Sequence, residues 1–498
     1  MAGQQLGNPN INLPLAPSYE GRGADGVANV IVSGLDQRKI NCVYEVTNNS
    51  QTGQRTLRLA KRPGVTAADP KGNAAQACDL LSLKPTPAGL TSSFVWLFSH
   101  SVSSSTLSVS DDSNTTNVST SVPGFAWSYV DKTLISGTET LVAQARNGEV
   151  SSLAFYSAGP IGTWTAITSS VFTGLTKMGK MEHLDGYAFQ MDSTNKIYNS
   201  DLNTLDVWGV NSVIPKQIKQ DRPRGLARYG NQILSFGAET LEVFVNAGNA
   251  AGSPLQAVQQ MFQRIGLYRD NGIAARHYYC TISNRLYFIG QTTDTDSSHA
   301  LYAYDGSRIE RVSNNGIDKI LASVIGGNAV GNPALAVNKI SIASRDAVAI
   351  DLTYTSTATQ SWLMYYPDIN EWFEWNSTVF SPYQASAYFM GIADGTNGNK
   401  IYVGGASSFL RDNTTNFQVA VQFKLPNTGN DHRQMTFCGV AGDTARSTTT
   451  SILNVQFSDD DQQTWSSTRP IDMTSARKII TRCGSFNERW VRLTQTEN

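Results

Sequence analysis

Residues 223–248 are PRGLARYGNQILSFGAETLEVFVNAG, residues 264–290 are RIGLYRDNGIAARHYYCTISNRLYFIG, and residues 299–321 are HALYAYDGSRIERVSNNGIDKIL. Each piece consists of short runs in which apolar and polar residues alternate, and tight polar turns separate the runs. This period of two is typical of half-buried β-strands. An Asp-Gly pair between two such runs, as at Asp305 and Gly306, is a strong hairpin signal. We therefore expect antiparallel β-structure throughout this part of the chain.

The same strand–turn unit recurs along the chain at intervals of roughly 40 to 60 residues, which is the range of propellers and repeat arrays. Further copies lie at residues 186–208, 361–375 and 400–404. A propeller blade is a four-stranded antiparallel sheet, and each unit has about that length. The pattern predicts an all-β protein with an irregular β-propeller of about six blades. A β-sandwich is the alternative, since no unit carries a WD dipeptide or a kelch signature.

The blades can be assigned in chain order. We expect them at residues 75–128, 141–165, 181–208, in the two halves of 223–321 and at 318–376, and we expect residues 387–411 to complete the last blade or close the ring. Within the first blade, the Ser/Thr/Asn-rich residues 101–122 indicate either a long exposed hairpin or an irregular loop. Between the fourth and fifth blades, residues 254–262 are compatible with one or two helical turns.

The two ends of the chain differ from this pattern. Residues 1–74 contain a Pro- and Gly-rich arm followed by two short strands, whereas residues 413–498 resemble a small β-sandwich in their alternation. The predicted domains are therefore an N-terminal arm with platform strands (1–74), a propeller (75–412) and a C-terminal platform domain (413–498). Because neither end can bury a sizeable core alone, we expect the two to pack together.

Composition limits the functional classes. Charged residues make up 16% of the chain and the net charge is -1, so there is no global basic field for nucleic acid. The five cysteines are scattered without a C-x-x-C pair, which predicts buried free thiols rather than a disulfide framework. We find neither signal-peptide features nor an apolar run of about eighteen residues. The composition fits an extracellular or virion protein that is made in the host cytoplasm and has no membrane span.

A local basic cluster follows the third predicted blade. Its members are Lys216, Lys219, Arg222, Arg224 and Arg228, with Asp221 as the acidic residue among them. Such a cluster can contact phosphates or an acidic partner. The alternative is a solvated loop between two blades.

A second motif lies near the C-terminus. Ser458, Asp460, Thr464 and Trp465 have the spacing of an Asp-box, with Gln462 where that motif has Gly. The aspartate is expected to cap its own hairpin turn through backbone N–H groups. The run of aspartates at 459–461 could suggest calcium, but no Gly and no distant Glu completes a calcium loop. We therefore expect a structural turn and no metal.

Enzyme signatures are missing from the sequence. The five histidines have no i, i+4 partner and do not lie near a pair of cysteines, so zinc is not predicted. We find no G-x-S-x-G, no phosphate-binding G-x-x-x-x-G-K-[ST] and no G-x-G-x-x-G after a strand. The sequence predicts a scaffold protein without catalytic residues or a cofactor.

Residues 41–64, 229–244, 308–321 and the C-terminal hairpin with its last strand together resemble one family. The family is that of the podovirus tail nozzle or hub proteins, which are packaged-DNA stabilization proteins related to tail tubular protein B. The resemblance is most specific in residues 223–321, where a strand ends in Gly-Ala-Glu-Thr and resumes with an aromatic residue. Residues 66–220 are similar only in their general strand pattern.

The resemblance implies a structural protein of the virion tail. Members of this family form a hexameric ring that binds below the head-to-tail adaptor, lines the DNA exit channel, retains packaged DNA and supports tail spikes or fibres. We expect a homohexamer through which double-stranded DNA passes without sequence recognition. A carbohydrate-binding or sialidase-like propeller is the alternative, and a pair of carboxylates in a cleft would favour it.

Overall fold

The computed structural model describes most of the strand-forming part of the chain. The described residues are 38–48, 55–62, 76–82, 94–99, 104–109, 118–123, 127–145, 150–155, 165–219, 221–249, 252–263, 265–267, 278–292, 299–327, 337–342, 345–352, 360–377, 416–425, 433–440, 451–475 and 478–495. The chain divides into two compact units. Unit 1 comprises Met1–Arg62, Asp368–Trp375 and Thr414–Asn498, and unit 2 comprises Pro63–Pro367 and Asn376–Asn413.

Strands make up nearly all of the regular structure, as the alternation predicts. Before residue 63 they are β1 (Arg38–Ile40), β2 (Cys42–Asn48) and β3 (Arg55–Lys61). From residue 63 to 367 the elements are β4 (Gln76–Ser82), β5 (Phe94–Ser99), β6 (Ser104–Val109), β7 (Val118–Pro123), β8 (Trp127–Ile135), β9 (Thr138–Ala145), β10 (Val150–Phe155), β11 (Thr165–Ala166), α1 (Ser170–Thr173), β12 (Lys177–Leu184), β13 (Tyr187–Asp192), β14 (Lys196–Ser200), β15 (Trp208–Pro215), β16 (Pro223–Tyr229), β17 (Gln232–Gly237), β18 (Thr240–Asn246), β19 (Leu255–Gln263), β20 (Ile265–Leu267), β21 (Tyr279–Ile282), β22 (Arg285–Thr292), β23 (His299–Tyr304), β24 (Ile309–Arg311), α2 (Asn315–Gly327), β25 (Val337–Ile342), β26 (Arg345–Asp351) and β27 (Gln360–Tyr366). After residue 367 they are β28 (Glu371–Ser377), β29 (Val419–Lys424), β30 (Arg433–Gln434), β31 (Phe437–Gly439), β32 (Ile452–Ser458), β33 (Arg469–Asp472), β34 (Ile479–Thr481), β35 (Ser485–Phe486) and β36 (Trp490–Gln495).

Unit 2 is an all-β propeller built from successive antiparallel sheets. Blade 2 is β8–β11, blade 3 is β12–β15, blade 4 is β16–β19, and blade 5 is β20–β24, in which β20 and β21 both pair with β22. The hairpins β4–β5 and β6–β7 precede them, and β25, β26 and β27 follow them. The hairpin expected from the Ser/Thr-rich segment is thus present as β6 and β7.

The hydrophobic cores of unit 2 lie between neighbouring blades. Ile233 of β17 packs with Phe189 of blade 3, whereas the next residue, Leu234, packs with Phe288 of blade 5. Blade 3 buries its other face against blade 2, where Met181 and Val142 share a cluster. Blades 3 and 4 therefore bury both faces, as blades of a propeller do.

Two-residue turns fix the hairpin registers. Asp185 and Gly186 join β12 to β13 with φ of 52° and 83°, and Ser136 and Gly137 join β8 to β9 with φ of 50° and 78°. Positive φ at both central positions is the geometry of the type I′ turn, whose twist matches that of paired strands. Asp305, in the predicted Asp-Gly turn, accepts hydrogen bonds from the backbone N–H groups of Ser307 and Arg308 at 3.0 and 2.9 Å.

Residues 254–262 are not helical, which corrects the prediction of one or two helical turns. Residues 255–262 lie in β19, which pairs with β18. The register shifts between Glu242 and Phe244, so that the partners of these two residues are Met261 and Ala257. Such a bulge interrupts the period of two and leaves apolar residues at a spacing that resembles a helix.

The start of the predicted sixth blade is helical, which is a second correction. Residues 318–327 belong to α2, and the next described strand begins at Val337. Asn314 begins the helix, because its side-chain oxygen accepts the N–H of Ile317 at 3.0 Å. Asp318 in the first turn interacts favourably with the helix dipole. The predicted copies at 387–411 and 400–404 lie outside the described residues, so the number of blades stays a prediction.

In unit 1, segments from both ends of the chain share a sheet with the order β28-β1-β29-β36-β32-β33. Asn41 donates from Nδ2 to the carbonyl of Gln418 at 2.8 Å. The fully buried Arg62 donates to Asn41 Oδ1 at 2.9 Å, and its guanidinium stacks over the Phe417 ring at 3.8 Å. Residues from 38–62 and from 416–495 therefore contribute to one core.

Two further sequence predictions concern cysteines and membrane spans. Cys42, Cys280, Cys438 and Cys483 are free thiols, and all but Cys438 are buried. Burial raises the pKa of Cys42 to about 12, so this thiol stays protonated and unreactive at neutral pH. In the described part of the chain, neither helix has the length and apolarity that a membrane crossing requires.

Candidate functional site

The basic cluster of the sequence lies between blade 3 and blade 4, and we call residues 216–219 and 221–224 the basic loop, the last two of which begin β16. Its first residue, Lys216, points inward and its side chain is 0% exposed. The ammonium donates to Asp221 Oδ1 at 2.6 Å and to Thr240 Oγ1 at 2.8 Å. A charge removed from water in this way needs such partners, because an unpaired buried ammonium costs several kcal/mol.

Asp221 connects the loop to the turn between β17 and β18. Its Oδ2 accepts the backbone N–H groups of Glu239 and Thr240 at 2.7 and 2.9 Å. Burial works to raise the pKa of Asp221, but hydrogen bonds from Lys216 and Glu239 outweigh it and lower the pKa. A Cβ on Gly237 would lie 2.0 Å from Asp221 Oδ1, so this carboxylate requires glycine at that position.

Glu242 holds the other side of the loop. It is fully buried within β18, and its carboxylate accepts the backbone N–H groups of Gln217, Ile218 and Lys219 at 2.9, 3.3 and 3.0 Å. Three backbone donors converging on one carboxylate form an anion-binding concavity of the kind called a nest. Here the anion is a side chain of the same molecule.

The outward face of the basic loop is mixed in character. Lys219, 49% exposed, pairs with Glu239 at 2.5 Å, and Ile218 is 47% exposed. Arg222 is exposed and Arg224 is half-buried. Two sequence expectations are corrected here: Lys216 lies in the interior, and Asp221 is joined by Glu239 and Glu242 as counter-charges. Both acids come from β17–β18, about 20 residues away in sequence, where no local pattern could reveal them.

A second polar cluster, which the sequence did not suggest, lies on β12, β16 and β21. Glu182 of β12 accepts a hydrogen bond from Tyr279 Oη of β21 at 2.8 Å and pairs with Lys180 Nζ at 3.2 Å. The backbone N–H of Arg228, on β16, donates to the same tyrosine oxygen at 3.3 Å. The cluster thus connects blades 3, 4 and 5. Its sequence signal is the pair of charged residues inside the buried run KMGKMEHL.

Burial changes the proton affinities in this cluster. It raises the pKa of Glu182 to about 7, although Lys180 works to lower it, and it raises the pKa of Tyr279 well above its usual value. It lowers the pKa of the adjacent His183 to about 4. Both ring nitrogens of His183 are buried without a hydrogen-bond partner among the described residues. The histidine is therefore neutral at pH 7, and a proton added to it would be poorly solvated.

In the aspartate hairpin, residues 458–465, each acid of the run 459–461 has its own partner. Asp459 forms two 2.6 Å hydrogen bonds with the Arg489 guanidinium, and Asp461 accepts Trp490 Nε1 at 3.0 Å. Asp460 accepts the Thr464 backbone N–H at 2.9 Å and the Ser458 hydroxyl at 2.7 Å, and it also contacts the Thr464 hydroxyl. The three carboxylates serve the fold, and this arrangement gives no support to a glycoside-cleaving pair.

The other members of the Asp-box pattern complete the turn. Gln462 has a φ of 70°, the left-handed conformation that explains why the motif has glycine at this position. Trp465 is half-buried beneath the Arg492 guanidinium, which lies 3.7 Å from the ring centroid. No set of three His, Cys, Asp or Glu side chains among the described residues is arranged to hold a metal ion.

Residues 99–331 match a protein-family model described as "Bacteriophage P22 Gp10, beta-propeller". The matched region begins with the last residue of β5, contains blades 2 to 5 with the basic loop, and extends beyond α2. It is just under half of the chain. The match supports an all-β propeller and a phage structural protein related to podovirus tail proteins. No curated protein matches the sequence.

Several solved structures are similar to the chain at low identity. Raptor from Chaetomium thermophilum is 11% identical, with 59% of this chain and 25% of that chain covered and a TM-score of 0.32. YCF48 from Cyanidioschyzon merolae is 8% identical, with 56% and 93% covered and a TM-score of 0.29. BBS1N in complex with ARL6DN is 12% identical, with 62% and 95% covered and a TM-score of 0.30.

Proposed function

We propose that this protein is a non-enzymatic component of a short-tailed phage tail, in which it forms the nozzle or hub ring that retains packaged DNA. The observation that carries the proposal is the match of residues 99–331 to the P22 Gp10 propeller family. The matched region contains residues 223–321, where the sequence resemblance to tail nozzle proteins is most specific. We propose a virion location, with synthesis in the host cytoplasm.

In this proposal the protein acts through the shape of its assembly and not through a chemical reaction. Six copies would form a closed ring in which each subunit uses two different faces, so that the lumen admits a DNA duplex. The net charge of -1 suits passage of DNA, because every phosphate that a protein neutralises adds to affinity and would slow ejection. DNA would therefore be retained by closure of the channel rather than by strong binding.

The predicted domains receive roles in this proposal. We propose that residues 75–412 form the propeller and that residues 1–74 with 413–498 form a platform. The sheet that strands β1 and β29 share is consistent with such a platform. Tail spikes or fibres and the head-to-tail adaptor are the proposed partners.

Docking to the adaptor is assigned to the basic loop. A junction between two proteins can use strong local electrostatic attraction, whereas a DNA lumen cannot. Since Lys216 is buried, the contact residues are Lys219, Arg222 and Arg224, and Lys216 has a supporting role inside the loop.

Phage particles assembled without this protein provide the direct test. We expect such particles to lose their DNA during purification, and we expect the purified wild-type chain, but not an unrelated protein at equal concentration, to restore retention. Full retention without the protein would contradict the proposal. Release of sugar from host surface glycans by the purified chain would contradict its non-enzymatic part.

A further inference from the structure

The basic loop is held more firmly than a solvated connection needs. Two acids, Asp221 and Glu242, direct their carboxylates inward and accept five backbone N–H groups between them. A further bond joins the N–H of Ala238 to the carbonyl of Arg222 at 2.8 Å. Burying carboxylates is costly unless they are hydrogen-bonded, and here the loop backbone supplies the donors to Glu242 while the β17–β18 turn supplies those to Asp221. The arrangement fixes the loop conformation before any partner arrives.

The outward face of this loop has a definite chemical character. Its cations are Lys219, Arg222 and the half-buried Arg224, and the exposed acid Glu239 pairs with Lys219, whereas the side chains of Lys216, Asp221 and Glu242 are buried. The exposed Ile218 lies among these charges. A phosphate backbone favours a dense cationic surface without carboxylates or apolar side chains. A protein surface with complementary charges and an apolar contact fits this loop better.

We propose that Ile218, Lys219, Arg222 and Arg224 form a preorganised docking surface for an acidic protein surface, and that Glu242 is the positioning residue that holds it. This inference rests on the proposed function, in which the partner belongs to the phage head. A loop that is already ordered loses little conformational entropy on binding, which is how a small surface reaches a useful affinity. Glu242 contributes without contacting the partner, because its carboxylate fixes the backbone of residues 217–219.

The test measures binding of the full-length protein to phage heads that carry the head-to-tail adaptor and were assembled without this protein. The double variant Arg222→Glu/Arg224→Glu should weaken binding by at least about tenfold, because two attractive contacts become repulsive. The control is Lys339→Glu, which reverses a cation on β25 whose side chain is 45% exposed, and which should bind like the wild type. Equal loss in the control would show a general charge effect and overturn the assignment.

Glu242→Gln tests the positioning role. Its amide cannot accept all three N–H groups, so hydrogen exchange at residues 217–219 should become faster and binding should weaken several-fold. When Glu242→Gln is combined with Arg222→Glu/Arg224→Glu, the triple variant should bind heads almost as well as the double variant does. The reason is that the surface which Glu242 positions no longer binds in the double variant. Additive losses would show that Glu242 acts by stability alone. Should the variant fail to fold, the arginine variants still decide the surface.

The outcomes separate this inference from the proposed function. If the wild-type chain binds heads and the arginine variants bind equally well, the docking surface is wrong and the tail role stands. If the wild-type chain neither binds heads nor restores DNA retention, the proposed function is wrong, and the docking surface that rests on it is wrong as well. Binding of a duplex oligonucleotide through Arg222 and Arg224, with a steep dependence on salt, would make the partner nucleic acid and overturn the inference.

Discussion

The basic loop and the aspartate hairpin are both runs of like charge in the sequence, yet their charges are arranged in opposite ways. In the loop, the first cation is buried against Asp221 of the same loop, and the other two acids, Glu239 and Glu242, come from another hairpin. In the hairpin, the acids lie at the surface and a buried cation, Arg489, pairs with Asp459 from the position just before β36. A run of charges therefore does not reveal which member is exposed, because its partners come from distant strands.

The difference has an energetic consequence. An ion pair whose two members are both buried cannot fall back on water when one member is lost, whereas a pair with one exposed member can. Lys216 and Asp221 are 0% and 5% exposed, but Asp459 is 45% exposed. We therefore expect the loop to respond more strongly to loss of a carboxylate than the hairpin.

Asp221→Ala should have the largest effect. It leaves the Lys216 ammonium buried without its counter-charge and removes the acceptor for two N–H groups, so we expect a loss of about 3–5 kcal/mol in unfolding free energy. Chemical denaturation at pH 7 measures it. Asp221→Asn is the comparison variant, because it retains one acceptor and the shape. A loss below about 1 kcal/mol in the Ala variant would show that the loop is solvated.

His183, whose ring nitrogens are buried without a hydrogen-bond partner in the described part of the chain, extends the comparison to pH. Its folded-state pKa lies near 4, below the ordinary 6.5, so the stability that it contributes is present above pH 6.5 and is lost as pH falls toward 4. Glu182 has the opposite sign: its pKa rises from 4.5 to about 7, so stability is lost as pH rises through that window. The two slopes partly cancel in the wild type.

Two variants separate these slopes. Relative to the wild type, His183→Gln should gain stability as pH falls from 6.5 to 4, and Glu182→Gln should gain stability as pH rises from 4.5 to 7. Denaturation midpoints at several pH values for the three proteins measure both differences. If the stability of both variants relative to the wild type changed in the same direction with pH, the assigned protonation states of His183 and Glu182 would be wrong.

Asp459→Ala tests the half-exposed pair of the hairpin. The variant removes two charge-assisted hydrogen bonds from Arg489, but solvent at the Asp459 side replaces part of them. We expect a loss of about 1–2 kcal/mol, smaller than for Asp221→Ala. The same denaturation experiment measures it. A loss equal to that of the loop variant would remove the distinction between the two regions.

Asp460→Asn should have the smallest effect. Hydrogen bonds from Thr464 and Ser458 lower the pKa of Asp460 to about 2, so its contribution is present above pH 3.8 and is lost as pH falls through about 2. Because the carboxylate is fully exposed, the variant and the wild type should differ little at pH 7. A large difference between the two proteins in unfolding free energy at pH 7 would contradict this account.

The propeller and its hairpins could be predicted from local sequence because the signals are local. β17 and β18 alternate on either side of the turn at Gly237, Ala238 and Glu239, as predicted. β19 was missed because its bulge breaks the alternation, and α2 was missed because a short apolar segment after a turn fits a strand or a helix equally well.

The candidate site was less predictable than the fold. The sequence identified Lys219, Arg222 and Arg224 as members of one loop, but it could not show that Lys216 is buried. It also gave no sign that Glu242 accepts bonds from that loop. The available clue was a single acid in the apolar run LEVFV, since a buried carboxylate requires donors. Which donors satisfy it depends on a neighbouring loop about 25 residues away.

The central claim, that this chain forms a ring around the DNA exit channel, is tested most directly by a cryo-electron microscopy map of the virion into which the propeller can be fitted. We predict six copies of the propeller arranged around the tail axis, directly below the head, with DNA passing through the ring. A map with the protein away from the channel axis, or with a number of copies other than six around it, would contradict the account.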